Sequence, residues 1–267
     1  MTEIRLETQA LSRHFGALVA VRGIDFKLAA GARQALIGPN GAGKTTFVNL
    51  LTGVLPPTRG RVLFSGRDIT GKAQAERVKL GIARTFQINR LFRGLSVLEN
   101  VCIAVSERIG AAGSMFTPAG WHTDVIDEAM QLLQTLRLAD AARHRVSELP
   151  YGRQRLVELA IAIGLKPQVL LLDEPAAGVP SAESHIILDA IEELPEHIAV
   201  LIIEHDMDVV FRFAKRVTVM VSGSIFVEGT PREIETNPQV REVYLGQAGP
   251  GPAQEARREK PKETPHG

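Results

Sequence analysis

Two hydrophobic periods alternate along the chain. Short apolar runs rich in leucine and β-branched residues lie at 169–172, 200–203 and 217–221. Runs of this kind, without in-out alternation, mark strands covered on both faces, as in a parallel sheet. Helical spacing fills the stretches between them, so an α/β core is expected. From residue 4 to 36, short apolar runs are separated by Arg22-Gly23 and Ala30-Gly31, which predicts β-strands joined by turns. Residues 62–64, ahead of Ser65, Gly66, Arg67 and Asp68, predict another strand. After Gly43 the pattern turns helical: Phe47, Leu50 and Leu51 share one face, and Gly53 with Pro56 and Pro57 stops the helix. Between about 90 and 149 the spacing is again helical, clearest in Val125, Ile126, Ala129, Leu132, Leu133 and Leu136, with Thr117-Pro118 and Thr123 or Asp124 as helix starts. That stretch reads as an inserted helical subdomain. From Gly246 the chain turns to Gly, Pro, Ala and charge, with too little apolar surface to offset ordering entropy, and a disordered tail is expected.

Composition narrows the function classes. A chain of 267 residues fits one core with an inserted subdomain, and no internal repeat divides it. Hydrophobic residues make up 45% and charged ones 23%, the balance of an ordinary folded protein. Lys plus Arg total 31 against 30 for Asp plus Glu, so there is no excess positive field and nucleic acid is not expected as a partner. The lone Cys102 cannot form an internal disulfide, and no basic-then-apolar segment opens the chain as a secretory signal would; a reducing cytoplasm is the expected setting. No apolar run approaches the roughly 20 residues needed to span a bilayer, so any membrane role is expected to be peripheral.

The chemistry concentrates at two places. Gly38, Pro39, Asn40, Gly41, Ala42, Gly43, Lys44 and Thr45 match the phosphate-loop pattern G-x-x-x-x-G-K-[ST], between a strand-like run at 34–37 and a helical pattern. Glycines let backbone N–H groups approach phosphates closely, the helix N-terminus that continues through Thr46 adds positive potential, Lys44 reaches the β- and γ-phosphates, and the Thr45 hydroxyl ligates Mg²⁺. A nucleotide's phosphates with Mg²⁺ are therefore the expected ligand, and the loop alone would admit kinases, GTPases and helicases. The second place is the apolar run 169–172, which ends in Asp173 and Glu174. At the carboxyl edge of a parallel sheet, Asp173 can hold Mg²⁺ through water while Glu174 orients or deprotonates the attacking water.

Further motifs follow in a fixed order: Gln87 in Arg84-Thr85-Phe86-Gln87, a signature-like Leu149-Pro150-Tyr151-Gly152-Arg153-Gln154 immediately before a helical pattern, the Asp173-Glu174 pair, and Glu204-His205-Asp206. With these the chain resembles the ATP-binding cassette (ABC) family over about residues 3–246. The resemblance implies a P-loop NTPase fold: a RecA-like α/β core with an N-terminal antiparallel β subdomain, spanning 1–89 and 150–245, and an inserted α-helical subdomain at 90–149. It implies an ATPase that energises transport from the cytoplasmic face of the membrane, attached through membrane-spanning permease subunits. Gln87 would contact Mg²⁺ and the attacking water, with Leu91 and Phe92 either facing the permease or packing inside the insert. His205 would hydrogen-bond the γ-phosphate, and Phe15 would stack on adenine. Tyr151, Gly152 and Arg153 would contact the nucleotide held by a second ATPase subunit.

Within the family the chain is similar to the ATPases of branched-chain amino-acid, urea or amide permeases. The residues that carry this are Arg84-Thr85-Phe86-Gln87, Arg90-Leu91-Phe92, the long insert before the signature, Glu174-Pro175-Ala176-Ala177-Gly178, Glu204-His205-Asp206-Met207, and Asn237-Pro238-Gln239-Val240 through Tyr244-Leu245-Gly246. Such importers pair two ATPases, a heterodimer being expected here and a homodimer the alternative, and receive solute from a binding protein. Cassette ATPases of DNA repair or translation carry coiled-coil insertions, zinc cysteines or tandem cassettes, none of which this sequence has. Two positions depart from the family pattern. Pro150 replaces the signature serine and offers neither hydroxyl nor N–H, and Pro180 stands where an Asp or Asn is expected. Arg153 replaces the usual Gln, which allows partial electrostatic compensation. Both departures predict that this subunit completes its partner's ATP site poorly while its own remains competent.

Overall fold

The structure, a computed structural model, describes residues 3–85, 91–110 and 123–245. Gln87, Arg90, Thr117, Pro118 and the segment from Gly246 lie outside the described residues. Two long strands, β1 (Ile4–Phe15) and β2 (Leu18–Ala29), pair antiparallel and continue into β4 (Arg59–Phe64) and β5 (Arg67–Asp68), in the order β2-β1-β4-β5. The turn between β1 and β2 falls at Gly16 and Ala17, and Arg22-Gly23 is not a turn. Gly23 sits inside β2 at φ 57°, where the register with β1 slips, and its N–H donates to Ser12 Oγ at 2.9 Å. A glycine within a strand signals a bulge as readily as a turn.

The second sheet is the core. It runs β10 (Ser224–Gly229), β9 (Arg216–Val221), β3 (Arg33–Ile37), β8 (Ala199–Ile203), β7 (Val169–Asp173) and β6 (Ile82–Arg84). All neighbours pair parallel except β10, an antiparallel edge on β9. Both faces are covered. On one, Leu36, Leu171, Leu201 and Ile203 meet the N-terminal sheet and helix α1 (Lys44–Thr52). On the other, Ala35, Ile37, Leu170, Leu172, Val200 and Ile202 meet helices that include α3 (Val97–Arg108), α4 (Thr123–Thr135) and α5 (Tyr151–Gly164). This double coverage is why the strands read as unbroken apolar runs. Val125, Ala129, Leu133 and Leu136 are buried as their spacing requires, whereas Ile126 and Leu132 are only partly covered. Helix α5 packs on α3 and α4 and also on α6 (Ser181–Glu192), so it bridges the helical region and the core.

Helix α1 depends on one buried cation from α2 (Gln74–Leu80). A helix leaves its last carbonyls without intrahelical donors. Arg77, only 1% exposed, donates from Nη1 to the carbonyls of Leu50 (2.7 Å) and Leu51 (2.9 Å), from Nη2 to Thr70 (2.9 Å) and from Nε to Lys72 (3.0 Å). Arg77→Ala should take these donors away, leaving the buried Leu50 carbonyl only the long 3.4 Å bond from the Gly53 N–H, and cost about 3 kcal/mol, the scale of charged hydrogen bonds lost in the interior. Denaturant unfolding checks this; a change under about 0.5 kcal/mol, ordinary for surface substitutions, would refute the assignment.

Candidate nucleotide site

The loop after β3 is shaped by backbone contact. A Cβ on Gly38 would overlap the Met220 carbonyl oxygen, and one on Gly43 the Ala20 carbonyl oxygen, so neither position accepts a side chain. Behind the loop, the N–H of Gly223 donates to Ala42 O at 2.9 Å and the N–H of Arg22 to Gly223 O at 2.8 Å. The loop is thus clamped between β2 and the β9-β10 turn. Its far end enters α1 through Gly43 (φ 97°), with no side-chain cap and no acidic residue in the first turn. The positive end of that helix remains open to an anion. Lys44 folds back on the loop, donating from Nζ to the carbonyls of Gly38 (2.5 Å) and Pro39 (3.1 Å). Burial pulls its pKa down, and Glu174 and then Asp173 oppose this.

Strand register delivers the acids. Asp173 lies opposite Ile203, and Ile203 opposite Leu36, so β7, β8 and β3 end level beside the loop. Asp173 accepts a hydrogen bond from Arg84 Nη2, while Arg84 Nη1 donates to Asn49 Oδ1 on α1 at 2.7 Å. Glu174 follows at φ 46°, a strained left-handed conformation for a side chain of this size. Its N–H donates to Ile203 O at 2.9 Å, and its Oε1 stands 3.5 Å from His205 Nδ1. Glu204, 3% exposed, sits behind the histidine and accepts from the His205 N–H at 3.2 Å. Burial pushes the Glu204 carboxyl above its ordinary pKa, against the hydrogen bond from His205.

Phe15 is 43% exposed, with the Arg13 guanidinium 4.7 Å from its ring centre. Among the described residues, Tyr151, Gly152 and Arg153 make no hydrogen bond to the 38–43 loop. They form the first turn of α5, which begins inside the signature-like segment rather than after it, with Pro150 as N-cap. Tyr151 lies over Gly178, where a Cβ would meet its ring at 3.3 Å. Arg153 is engaged within the chain, donating to both Asp140 carboxylate oxygens and to Arg137 O at 3.3 Å. Leu91, 8% exposed, packs in the core and does not face outward; Phe92 is 57% exposed. Sequence reasoning missed Asn49 altogether and gave no role to Arg84 or Glu204, although both stand in motifs that it singled out. The contact from Arg84 to Asp173 spans 89 positions, and no local pattern signals it.

A parallel sheet whose strand ends gather a glycine loop, a lysine and two acids defines a P-loop nucleotide-binding protein. The ABC transporter family model matches residues 21–177, and a model of branched-chain amino acid ATP-binding cassette transporters matches 225–249. The high-affinity branched-chain amino acid transport ATP-binding protein LivG of Salmonella typhimurium is 37% identical, covering 93% of this chain and 100% of its own. The high-affinity branched-chain amino acid transport ATP-binding protein BraF of Pseudomonas aeruginosa is 37% identical, covering 91% of this chain and 98% of its own. A solved ATP-binding cassette of an ABC transporter, in its ADP conformation, superposes with a TM-score of 0.82 at 32% identity, covering 92% of this chain and all of that one. The chain belongs to the ABC transporter family, as an ATP-binding ATPase subunit homologous to the branched-chain amino acid transport ATP-binding proteins. No helix among the described residues is long and apolar enough to cross a membrane.

One buried pair on the signature helix carries a pH signature. Arg155 Nη1 donates to Glu158 Oε2 at 2.9 Å, and Arg155 Nη2 to the Tyr151 hydroxyl at 3.2 Å. Both charged residues are buried, and Arg155 Nε and Glu158 Oε1 have no partner among the described residues. Together with Thr85, Leu172 and Pro175 they line one small gap between α5 and the ends of β6 and β7. Burial raises Glu158 from the ordinary 4.5 to about 7, against the attraction of Arg155. Because the folded pKa lies above the unfolded one, the contribution of Glu158 to stability is full below about pH 4.5 and declines as pH rises to about 7. Urea unfolding at pH 5 and pH 8 should show wild type losing stability relative to Glu158→Gln across that interval. Parallel behaviour of the two proteins would contradict the burial argument.

Proposed function

We propose that this chain is the ATP-hydrolysing subunit of an importer for branched-chain or related amino acids, working at the cytoplasmic face beneath separate membrane-spanning permease subunits. One observation carries the catalytic part: Glu174 Oε1 approaches His205 Nδ1 at 3.5 Å beside Asp173, with Lys44 in electrostatic reach of both carboxylates. The names of the relatives and the match over 225–249 support the solute class. In this reading the loop from Gly38 to Gly43, with Thr46, wraps the phosphates, and Lys44 exchanges its carbonyl partners for the β- and γ-phosphates. Phe15 stacks on adenine, with affinity from ring overlap rather than base selection. Glu174 orients and deprotonates the attacking water, and His205 donates to the γ-phosphate.

Mg²⁺ is assigned to Thr45 and Asp173, with Gln87 as a further contact. Among the described residues no group of three or more His, Cys, Asp or Glu side chains could hold a metal alone. One carboxylate and one hydroxyl fit a cation that arrives on phosphate oxygens and keeps part of its water. Bound there, Mg²⁺ neutralises charge on the transferred phosphoryl group.

A second ATPase subunit completes the assembly, most simply as a heterodimer, with a solute-binding protein acting through the permease. Tyr151, Gly152 and Arg153 face the second subunit's nucleotide, and the exposed Phe92 supports contact with a permease helix. Packing of α5 on α3 and α4 supports a helical subdomain at 90–149 that moves with the signature helix. Three features support an asymmetric pair: Pro150 has no donor, Pro180 replaces the expected Asp or Asn, and the Arg153 guanidinium is held by Asp140. This subunit's own Lys44, Asp173, Glu174 and His205 then form the hydrolytic half of the competent site. In the assembled complex Glu174→Gln should keep ATP binding and lower hydrolysis by about 10²- to 10⁴-fold, the range for loss of a general base. The same change at the equivalent glutamate of the second subunit should cost far less. Near-wild-type hydrolysis in the first mutant removes the catalytic assignment, and equal losses remove the asymmetry.

A further inference from the structure

We propose that Arg84 is the standing counterion of Asp173, a positioning residue whose charge keeps the metal site from retaining a divalent cation until nucleotide brings one in. The proposal rests on the assignment of Asp173 to Mg²⁺ made above. Asp173 shares the sheet face of Leu171, the face covered by α1. Arg84 shares the face of Ile82 on the neighbouring strand, so both side chains point toward α1. The guanidinium, largely buried, uses one nitrogen on Asp173 Oδ2 and the other on Asn49 Oδ1. Asp173 Oδ1 accepts no hydrogen bond from the described residues.

The charges balance before any ligand arrives: Asp173 and Glu174 are negative, Lys44 and Arg84 positive. Glu204 lies behind His205, and His205 lies beside Glu174 rather than Asp173. A metal approaching the empty site therefore meets a neutralised carboxylate and a cation fixed beside it. ATP supplies the missing negative charge, and only then does metal binding become favourable. The tie to Asn49 keeps the guanidinium in place while Asp173 is shared between it and the hydrated metal. The fork geometry suits arginine in particular, since one planar group must hold two acceptors on different elements.

The test is a divalent-cation titration of the full chain, followed by binding of Mn²⁺ as a magnetic-resonance probe with and without ATP. Three variants are compared with wild type: Arg84→Met, Arg84→Lys and Asp173→Asn. Removing one positive charge beside a divalent cation should lower the half-saturating Mn²⁺ concentration in the presence of ATP about tenfold in Arg84→Met, and produce measurable Mn²⁺ binding without nucleotide. Arg84→Lys keeps the charge and should leave both near wild type, although it loses the tie to Asn49 and melts at a temperature as low as that of Arg84→Met. If Arg84→Met binds Mn²⁺ no more tightly than wild type while Asp173→Asn binds it more weakly, Arg84 is not the counterion. If Asp173→Asn leaves the titration unchanged, the metal assignment itself fails, and the counterion role with it.

Discussion

Parallel pairing of β3, β8 and β7 stops all three strands at one height, with Leu36, Ile203 and Asp173 in line. The site follows from that alignment. The phosphate loop leaves β3, Asp173 and Glu174 close β7, and Glu204 with His205 leaves β8, so three segments far apart in sequence deliver their polar groups to one edge. Because successive side chains alternate faces, a slip of one residue in any strand would exchange the two hydrophobic cores. The residues divided between them, Leu170 and Leu172 on one face and Leu171 on the other, make such a slip costly. The energy that holds the catalytic geometry is therefore mainly apolar and lies beneath the site rather than in it.

Above that core, buried arginines handle what hydrophobic packing cannot. Arg77 satisfies the buried carbonyl end of α1, Arg84 joins α1 to the end of β7, and Arg155 ties the start of α5 to its own second turn. Each guanidinium spans acceptors on separate elements or turns, which a lysine ammonium does less well. Each also carries a desolvation cost that apolar residues would avoid. Strain adds to this at Glu174, held at positive φ by the bond of its N–H to Ile203 and by the chain's sharp departure from the sheet.

Much of this architecture was legible in the sequence because it rests on local periodicity. The buried strands, α1 with Phe47, Leu50 and Leu51 inside, and α4 with Val125, Ala129 and Leu133 inside all follow from spacing. The glycine loop and the Asp173-Glu174 pair were legible because their chemistry demands residue types at short, fixed distances. What escaped notice is nonlocal. Arg22-Gly23 suggested a turn because glycine permits both a turn and a bulge, and only the pairing with β1 decides between them. Leu91 and Phe92 could each have faced a partner or packed inside the insert, because nothing nearby in sequence shows that the core reaches Leu91 and leaves Phe92 outside. The link from Arg84 to Asn49 and Asp173, and the place of Glu204 behind His205, exist only once four strands have been laid side by side.

The clamp behind the phosphate loop is made almost wholly of main chain. Ala20 and Arg22 take part through a carbonyl oxygen and an N–H group, so their side chains are free to drift over evolutionary time, while Ala42 is held small by the core around it. Gly223 is different: at φ 83° a Cβ would come within 2.9 Å of the Ala20 oxygen, so this one position cannot drift with them. Among diverging sequences the clamp would thus leave almost no trace outside the loop, a single glycine some 180 residues downstream of the loop it supports. Its mechanical role can be inherited unchanged while nearly every side chain around it is replaced.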